Sequence, residues 1–340
     1  MKWWIAKGPK DDVVLSSRVR LARNLTKYPF PGRMDQKQKE ELVANVREAV
    51  TVTVTVSSDP IDCIELEKLS SVEKQVLVEK HLISPELASK GSGAAVMLSR
   101  DESVSIMVNE EDHLRIQCMM PGLQLEEAYK TADRIDDLLE ERLDYAFDER
   151  LGYLTSCPTN VGTGMRASVM LHLPALCITG AIHDTINAVS KMGIAVRGIY
   201  GEGSEALGNI FQVSNQITLG LSELDTLHNL QSITEGLIER ELDLRKRLAD
   251  ENIMQLGDRV WRSYGLLQNA QLISTEELMK LISDVRLGVN MGIIGNVSVE
   301  KLNQLSVEAQ PGGITKRCGQ DLTPQQRDFE RAKYIREQLR

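Results

Sequence analysis

The run AAVMLSRDESVSIMVNEEDHLRIQCM, residues 94–119, holds three apolar segments separated by two polar turns. Residues 94–98 and 104–108 flank Arg100-Asp101-Glu102-Ser103 and predict a β-hairpin, and residues 114–119 supply a third antiparallel strand. Working outward, residues 124–143 predict an amphipathic helix, with Leu125, Ala128, Ile135, Leu138 and Leu139 roughly on one side. Residues 167–173, 194–199 and 209–214 read as further strands. Upstream, Leu42, Val43, Val46 and Val50 recur at near-helical spacing and predict a helix over residues 36–50. Residues 50–56 alternate valine and threonine strictly and predict a strand, unless the preceding helix runs into them. Strands joined by short turns and interrupted by a few long helices give an α+β class, an antiparallel sheet flanked by helices.

After about Ser222 the pattern turns helical. Residues 222–249 read as one long charged helix, and the stretches from Thr275 and Ser298 also read as helices. The last helix carries its own start signal: Thr323 as N-cap, Pro324 in the first turn, and Gln326 three residues after Thr323. The expected boundary lies near residue 245, separating a domain over 1–245 from a small all-α domain over 246–340.

Bulk properties narrow the function classes. A formal charge of -9 and a pI near 5.3 argue against a general nucleic-acid or anionic-membrane surface. Aromatics at 4% argue against a base-stacking platform. Five cysteines without CxxC pairing read as reduced thiols, with neither a disulfide framework nor a zinc site. The N-terminal residues lack the apolar core of a secretory signal, and no apolar run approaches the ~18 residues of a membrane helix. A cytoplasmic protein is expected.

Four segments carry chemistry. Arg18 and Arg20 alternate, so on a strand both guanidinium groups lie on one side, and planar forks suit phosphate oxygens. Such a pair by itself is more often a solvated strand. Glu110-Glu111-Asp112, followed by His113 and Arg115, is by itself a solvated turn or a cation site. It also offers a carboxylate to take the proton from a guanidinium, whose pKa of ~13.8 makes it a poor unaided nucleophile. Cys157 precedes Pro158, and Gly162 and Gly164 form a turn able to expose N–H groups to anions ahead of Arg166. A lone cysteine is usually a small buried hydrophobe, but beside Arg166 and a phosphate this thiol would help orient a cationic substrate. Arg197 and Glu202 stand five apart, with Gly198 and Gly201 between them. The set offers five arginines for a polyphosphate, two carboxylates for a cation and one thiol beside them.

The runs VLSSRVRLAR, VNEEDHLR, CPTNVGTGMR and RGIYGEG resemble, in this order, the signatures of the ATP:guanido phosphotransferases, the phosphagen kinase family. The likeness covers roughly residues 13–242. It implies that 1–245 is a phosphagen-kinase catalytic domain using ATP with magnesium. Arg18, Arg20, Arg115, Arg166 and Arg197 would hold the ATP phosphates, with Ser17 of the first motif and His81 also at the nucleotide. Glu111 would be the base, Cys157 the reactive cysteine and Glu202 the second carboxylate; no metal ligand of the chain itself is assigned.

In the small-metabolite kinases a helical domain of about a hundred residues precedes the SxRxR motif, which here begins at Ser16. That difference and the C-terminal helical domain resemble the bacterial protein-arginine kinases, the McsB branch of the family. The branch's RDxxRA motif is matched by Arg327, Asp328, Arg331 and Ala332. Arg327 and Arg331 share a helix face. By itself that reads as a charged outer face, with Phe329, Ala332, Ile335 and Leu339 as the core stripe opposite. The resemblance implies instead an allosteric phosphoarginine pocket. It also implies arginine side chains of proteins as substrate, a homodimer, an McsA-like activator, and a Clp ATPase–protease in stress response. A phosphoarginine-binding adaptor without kinase activity and a kinase of a free guanidino metabolite remain open on sequence.

Overall fold

The computed structural model describes residues 1–56, 60–198 and 206–340. Its strands are β1 Val14–Arg23, β2 Ile61–Glu65, β3 Ala95–Ser99, β4 Val104–Val108, β5 Leu114–Pro121, β6 Phe147–Asp148, β7 Gly152–Tyr153, β8 Met165–His172, β9 Ile194–Gly198 and β10 Ile210–Asn215. Its α-helices are α1 Gln36–Val56, α2 Ser71–Glu79, α3 Pro85–Ser89, α4 Leu125–Glu140, α5 Pro174–Ile178, α6 Ile182–Ser190, α7 Glu223–Asn269, α8 Thr275–Asn290, α9 Val299–Glu308, α10 Pro311–Cys318 and α11 Pro324–Gln338. Among the described residues eight strands form one sheet in the order β2-β3-β4-β5-β1-β8-β10-β9. Each neighbouring pair is antiparallel. The expected meander over residues 94–119 is β3-β4-β5, and the amphipathic helix expected after it is α4.

Residues 50–56 are not a strand; they continue α1. Once residues 36–50 have nucleated a helix, each further residue adds one hydrogen bond. The β-branched residues cost less than about 0.7 kcal/mol each relative to alanine. Thr51 turns its hydroxyl back onto the Arg47 carbonyl at 2.7 Å, the usual accommodation of threonine in a helix.

Alternation divides the sheet into two unlike faces. On one face lie Val19, Leu21, Ile116, Ala167, Val169 and Phe211, all buried beneath α1, α4 and the first half of α7. Each large apolar side chain buried there contributes about 1.5–3 kcal/mol. The strand register puts the polar positions on the other face. Arg20 stands opposite Gln117 and Arg166, Arg18 opposite Ser168, and Gln212 opposite Arg197.

The helices after β10 begin where the sequence indicates, but the one expected over 222–249 runs on to Asn269. Ser274, Ser298 and Thr323 cap α8, α9 and α11, and Thr323 forms a full capping box with Gln326. Helix α7 spans 47 residues and breaks helical geometry at Asn252. Its first part joins the sheet's core, while Val260, Tyr264 and Leu267 join a second core with α8, α9, α10 and α11. The two parts are fastened polar group to polar group. Glu79 accepts hydrogen bonds from the Gly312 and Gly313 N–H groups (2.8 and 3.2 Å), and Asn290 Nδ2 of α8 donates to the Asp12 carbonyl (2.8 Å). No described helix is long and apolar enough to cross a membrane.

Candidate active site

Five arginines from four strands meet on the polar face: Arg18 and Arg20 of β1, Arg115 of β5, Arg166 of β8 and Arg197 of β9. Arg18 is held by donation to Gln212 Oε1 (2.7 Å) and Ser168 Oγ (3.3 Å). The Arg20 pKa is pushed well below its usual value, first by burial and then by the charges of Arg18, Arg115 and Arg166. Arg166 is lowered by burial and then by Arg197 and Arg115, against Cys157 and Glu111. Like charges gathered so closely are costly unless an anion joins them, which makes this face a polyanion site in waiting.

Carboxylates rim it. Arg115 donates to Glu110 Oε1 at 2.6 Å and to Glu111 Oε2 at 3.1 Å. The Glu110 side chain is 2% exposed and the Glu111 side chain 35%, so Glu111 is the one within reach of an incoming substrate. Its pKa is raised, chiefly by burial and then by Asp112, Glu110 and Glu86, with Arg115 opposing. The turn bearing these acids starts at Asn109, whose φ of +60° is a left-handed conformation asparagine tolerates. The Asn109 amide fixes the turn by donating to the carbonyls of Lys39 and Gly93.

Cys157 lies across the acidic turn, with Sγ 3.0 Å from Thr159 Oγ1. The two turns are joined by Asp112, fully buried, whose Oδ1 accepts from Asn24 Nδ2 (2.7 Å) and the Ser156 N–H (2.6 Å). The glycines after Cys157 serve close packing. A Cβ on Gly162 (φ +114°) would sit 2.1 Å from the Thr218 carbonyl oxygen, and one on Gly164 (φ +63°) 2.7 Å from Arg23 Nη1. The Thr163 N–H between them donates to Thr218 O (2.9 Å), so this turn is not the open anion cradle its sequence suggests. Arg23 clamps the turn from behind, donating to Thr163 O while paired with buried Asp136 at 2.6 Å.

His81 follows α2 in a left-handed turn (φ +59°), its carbonyl accepting from Gln117 Nε2 at 2.8 Å. Burial, and then Arg18, bring its pKa down to about 4, so the ring beside the arginine face is neutral at pH 7. Ser17 departs from expectation. It has the opposite parity to Arg18 and is fully buried, donating to Gly122 O (2.8 Å) and accepting from the Gln124 N–H (2.9 Å). Ser16 is the serine on the arginine face, and the same alternation that groups Arg18 with Arg20 could have identified it. Gln212 and Ser168, which hold Arg18, become legible only once the strand register is known. Glu202 lies outside the described residues. Among the described residues no group of three or more His, Cys, Asp or Glu could hold a metal ion.

The C-terminal motif lies on α11, but not as a solvated face. Arg331 is fully buried, donating to the carbonyls of Ala309 and Ile273 (both 2.8 Å) and to Asp328 Oδ1 (2.5 Å). Arg327 donates to Leu322 O at 2.9 Å. Ala332 and Ile335 are buried as the apolar stripe requires, whereas Phe329 is 45% exposed and does not belong to it.

Comparison with known proteins agrees with this arrangement. The family model described as ATP:guanido phosphotransferase, C-terminal catalytic domain, matches residues 41–244. That described as protein-arginine kinase McsB C-terminal domain matches 253–340. The chain is 52% identical to the protein-arginine kinase of Brevibacillus brevis over 99% of this chain and 95% of that one. It is 51% identical to that of Caldanaerobacter subterraneus subsp. tengcongensis over 96% and 97%. Among solved structures, the duplicated taurocyamine kinase from Schistosoma mansoni with bound transition state analog components aligns with a TM-score of 0.63 and 26% identity. That alignment covers 78% of this chain and 38% of the duplicated one. Lombricine kinase aligns with a TM-score of 0.61 at 23% identity, covering 72% and 70%, a likeness of fold alone. The antiparallel sheet with its arginine face, the C-terminal helical domain and the matched relatives together establish that the chain belongs to the protein-arginine kinase family of ATP:guanido phosphotransferases.

Proposed function

We propose that this protein transfers the γ-phosphoryl group of Mg-ATP to arginine side chains of proteins. The single observation that carries the reading is the gathering of five arginines on one sheet face with the partly exposed Glu111 carboxylate at its rim. The arginines would neutralise the triphosphate, and magnesium carried by the nucleotide would add further charge neutralisation. An acceptor guanidinium nitrogen beside Glu111 attacks the γ-phosphorus, the bond from phosphorus to the β,γ-bridging oxygen breaks, and ADP departs. Glu111 takes the proton the nitrogen loses; in-line positioning and charge neutralisation supply most of the acceleration. Cys157 orients the acceptor and forms no bond to phosphorus. Glu202 is assigned by resemblance as the second carboxylate on the acceptor.

Residues 1–245 form the catalytic domain in this reading, and residues 246–340 the domain that receives phosphoarginine. Asp328 would meet the guanidinium there and Arg327 the phosphate, while Arg331 and Ala332 maintain the frame. A homodimer in the cytoplasm, an McsA-like activator and delivery of marked proteins to a Clp ATPase–protease under stress belong to the same proposal. The test is incubation with Mg-ATP and an unfolded protein, with free arginine in parallel, read by mass spectrometry at non-acidic pH because the N–P bond is acid-labile. Phosphoarginine on protein, absent with Glu111→Gln, is the expected result. Phosphorylation of free arginine alone would make the protein a metabolite kinase, and ATP left unconsumed under all conditions would make it an adaptor.

A further inference from the structure

Helix α3 lies against the acidic turn, and the side chain that fastens it there is Lys90. Its ammonium donates to the carbonyl oxygens of Asn109, at 3.0 Å, and of Glu110. The Asn109 amide adds a second tie by donating to Gly93 O at 2.7 Å. Behind the helix, Leu87 is fully buried in a cluster with Val96, Leu98 and Met107 of β3 and β4. Ser84 caps its start, accepting from the Leu87 N–H at 3.0 Å. So short a helix has little stability of its own, and these contacts hold it in place beside the turn.

Glu86 stands four residues before Lys90, about one turn back on the same side of the helix. The side that meets the acidic turn through Lys90 therefore also brings a carboxylate toward Glu111. The two acids are close enough to act on each other. Burial is the chief cause that raises the Glu111 pKa, and Asp112, Glu110 and Glu86 add to it against Arg115. Of those three acids, Glu86 alone comes from outside the turn. Arg115 holds Glu110, whereas Glu86 is exposed and, among the described residues, no ion pair occupies it. A single acceptor guanidinium answers Glu111 and leaves Glu86 for another positive charge.

We infer that Glu86 selects the acceptor, favouring arginines whose neighbour in the protein substrate is a second cation, lysine or arginine, and disfavouring those beside an acid. This rests on the protein-arginine kinase reading above and narrows its substrate class. Glu86 touches no phosphate and moves no proton; it acts by charge on the approach and hold of the acceptor. An exposed pair of this kind changes affinity only a few-fold and is screened by salt.

The test uses one unstructured protein carrying a single arginine, in three versions whose residues on either side of it are lysine, glutamine or glutamate. Initial rates of phosphoarginine formation at limiting substrate give kcat/KM for wild type, Glu86→Gln and Glu86→Lys. Wild type should prefer the lysine version to the glutamine version about fivefold and disfavour the glutamate version to a similar degree, both differences shrinking in about 0.5 M salt. Glu86→Gln should reduce each difference to about twofold or less, and Glu86→Lys should reverse the order.

A second readout comes from pH. Glu111 is faced by Arg115 of β5, Arg166 of β8, Glu110 and Asp112 of its own turn, and Glu86 and Lys90 of the α3 segment; only one of these changes in Glu86→Gln. Loss of that negative charge lowers the Glu111 pKa, so the acid limb of kcat should move to lower pH. An unchanged preference in Glu86→Gln, an unmoved acid limb, or a wild-type enzyme indifferent to the neighbours each overturns the inference. Absence of phosphoarginine from every version with wild type would instead remove the kinase reading, and this inference with it.

Discussion

Asp112 Oδ1 accepts a hydrogen bond from the Ser156 backbone N–H at 2.6 Å, and this contact joins the turn that carries Glu111 to the turn that carries Cys157. Glu111 precedes the aspartate by one residue and Cys157 follows the serine by one. Glu111 and Cys157 therefore share one buried fastening, to which Asn24 adds a second donor at 2.7 Å.

Removing that fastening separates geometry from charge. Asp112→Ala leaves the Ser156 N–H unpaired in a buried place and takes from Asn24 Nδ2 one of its two acceptors, the Leu154 carbonyl remaining, which costs about 2–3 kcal/mol of stability. It should also lower kcat about a hundredfold, the effect of a small misplacement of reacting groups, while ATP Kd stays within about twofold. Asp112→Asn retains an oxygen to accept both bonds and should keep most of the activity. The check is kcat at saturating ATP beside urea midpoints for both variants. Equal losses in the two would mean that the buried charge, and not the fastening, matters.

Glu111 predicts a displaced pH profile. Its carboxyl is raised above the usual range by burial, then by Asp112, Glu110 and Glu86, and Arg115 only partly offsets this. A base must be ionised, so activity is present above its pKa and lost as pH falls through it. The acid limb of kcat should therefore stand above the ~4.3 of an ordinary glutamate. Glu111→Gln should lower kcat at least about a hundredfold and leave ATP Kd unchanged. A limb at the ordinary position, or near-normal turnover in the variant, would remove Glu111 from the role of base.

Cys157 tests whether the thiol orients or attacks. It sits beside Arg166 at the edge of the arginine face, with its sulfur 3.0 Å from Thr159 Oγ1. Cys157→Ser keeps a small polar group and should retain measurable transfer, reduced roughly tenfold to a hundredfold. Rapid quenching of the wild-type reaction should yield no phosphocysteine, and its appearance on the reaction path would overturn the orienting role.

Much of this was legible in the sequence because two periodicities and a few capping residues are local properties. The meander over residues 94–119, α4, and the Thr323 cap of α11 all follow from neighbours within a few residues. Residues 50–56 misled because valine and threonine favour strands only where a sheet edge receives them, whereas an established helix carries them on at small cost. The partners of Arg18 lie 150 and 194 residues away, and no spacing rule reaches that far. Burial of Arg331 was equally hidden, since its acceptors are backbone carbonyls contributed by other helices and turns.

Ser17 gives that lesson an experimental form. The SxRxR run suggests a nucleotide contact, but the side chain faces the core and ties β1 to the Gly122–Gln124 turn. Ser17→Ala should cost about 1–3 kcal/mol of stability by stranding the Gln124 N–H and the Gly122 carbonyl. ATP Kd should not change. A clear loss of ATP affinity at full folding would return Ser17 to the nucleotide site.

His81 makes stability depend on pH in a definite direction. In the unfolded chain its pKa is ~6.5. In the folded protein burial, and then Arg18, bring it down to about 4. Between those values the unfolded state binds a proton that the folded state does not. The contribution to stability is therefore complete above about pH 6.5 and is lost as pH falls through about 4. For a shift of this size the loss is about 3 kcal/mol, a substantial part of a typical domain's stability. Urea unfolding at intervals between pH 7 and 4 should show the decline in wild type and a shallower one in His81→Gln. Some slope will remain in the variant, because buried His172 is pushed in the same direction, by burial and then by Arg245 and Arg286. Parallel slopes in the two proteins would mean that His81 titrates as it does in the unfolded chain, and that the ring is not enclosed beside the arginine face.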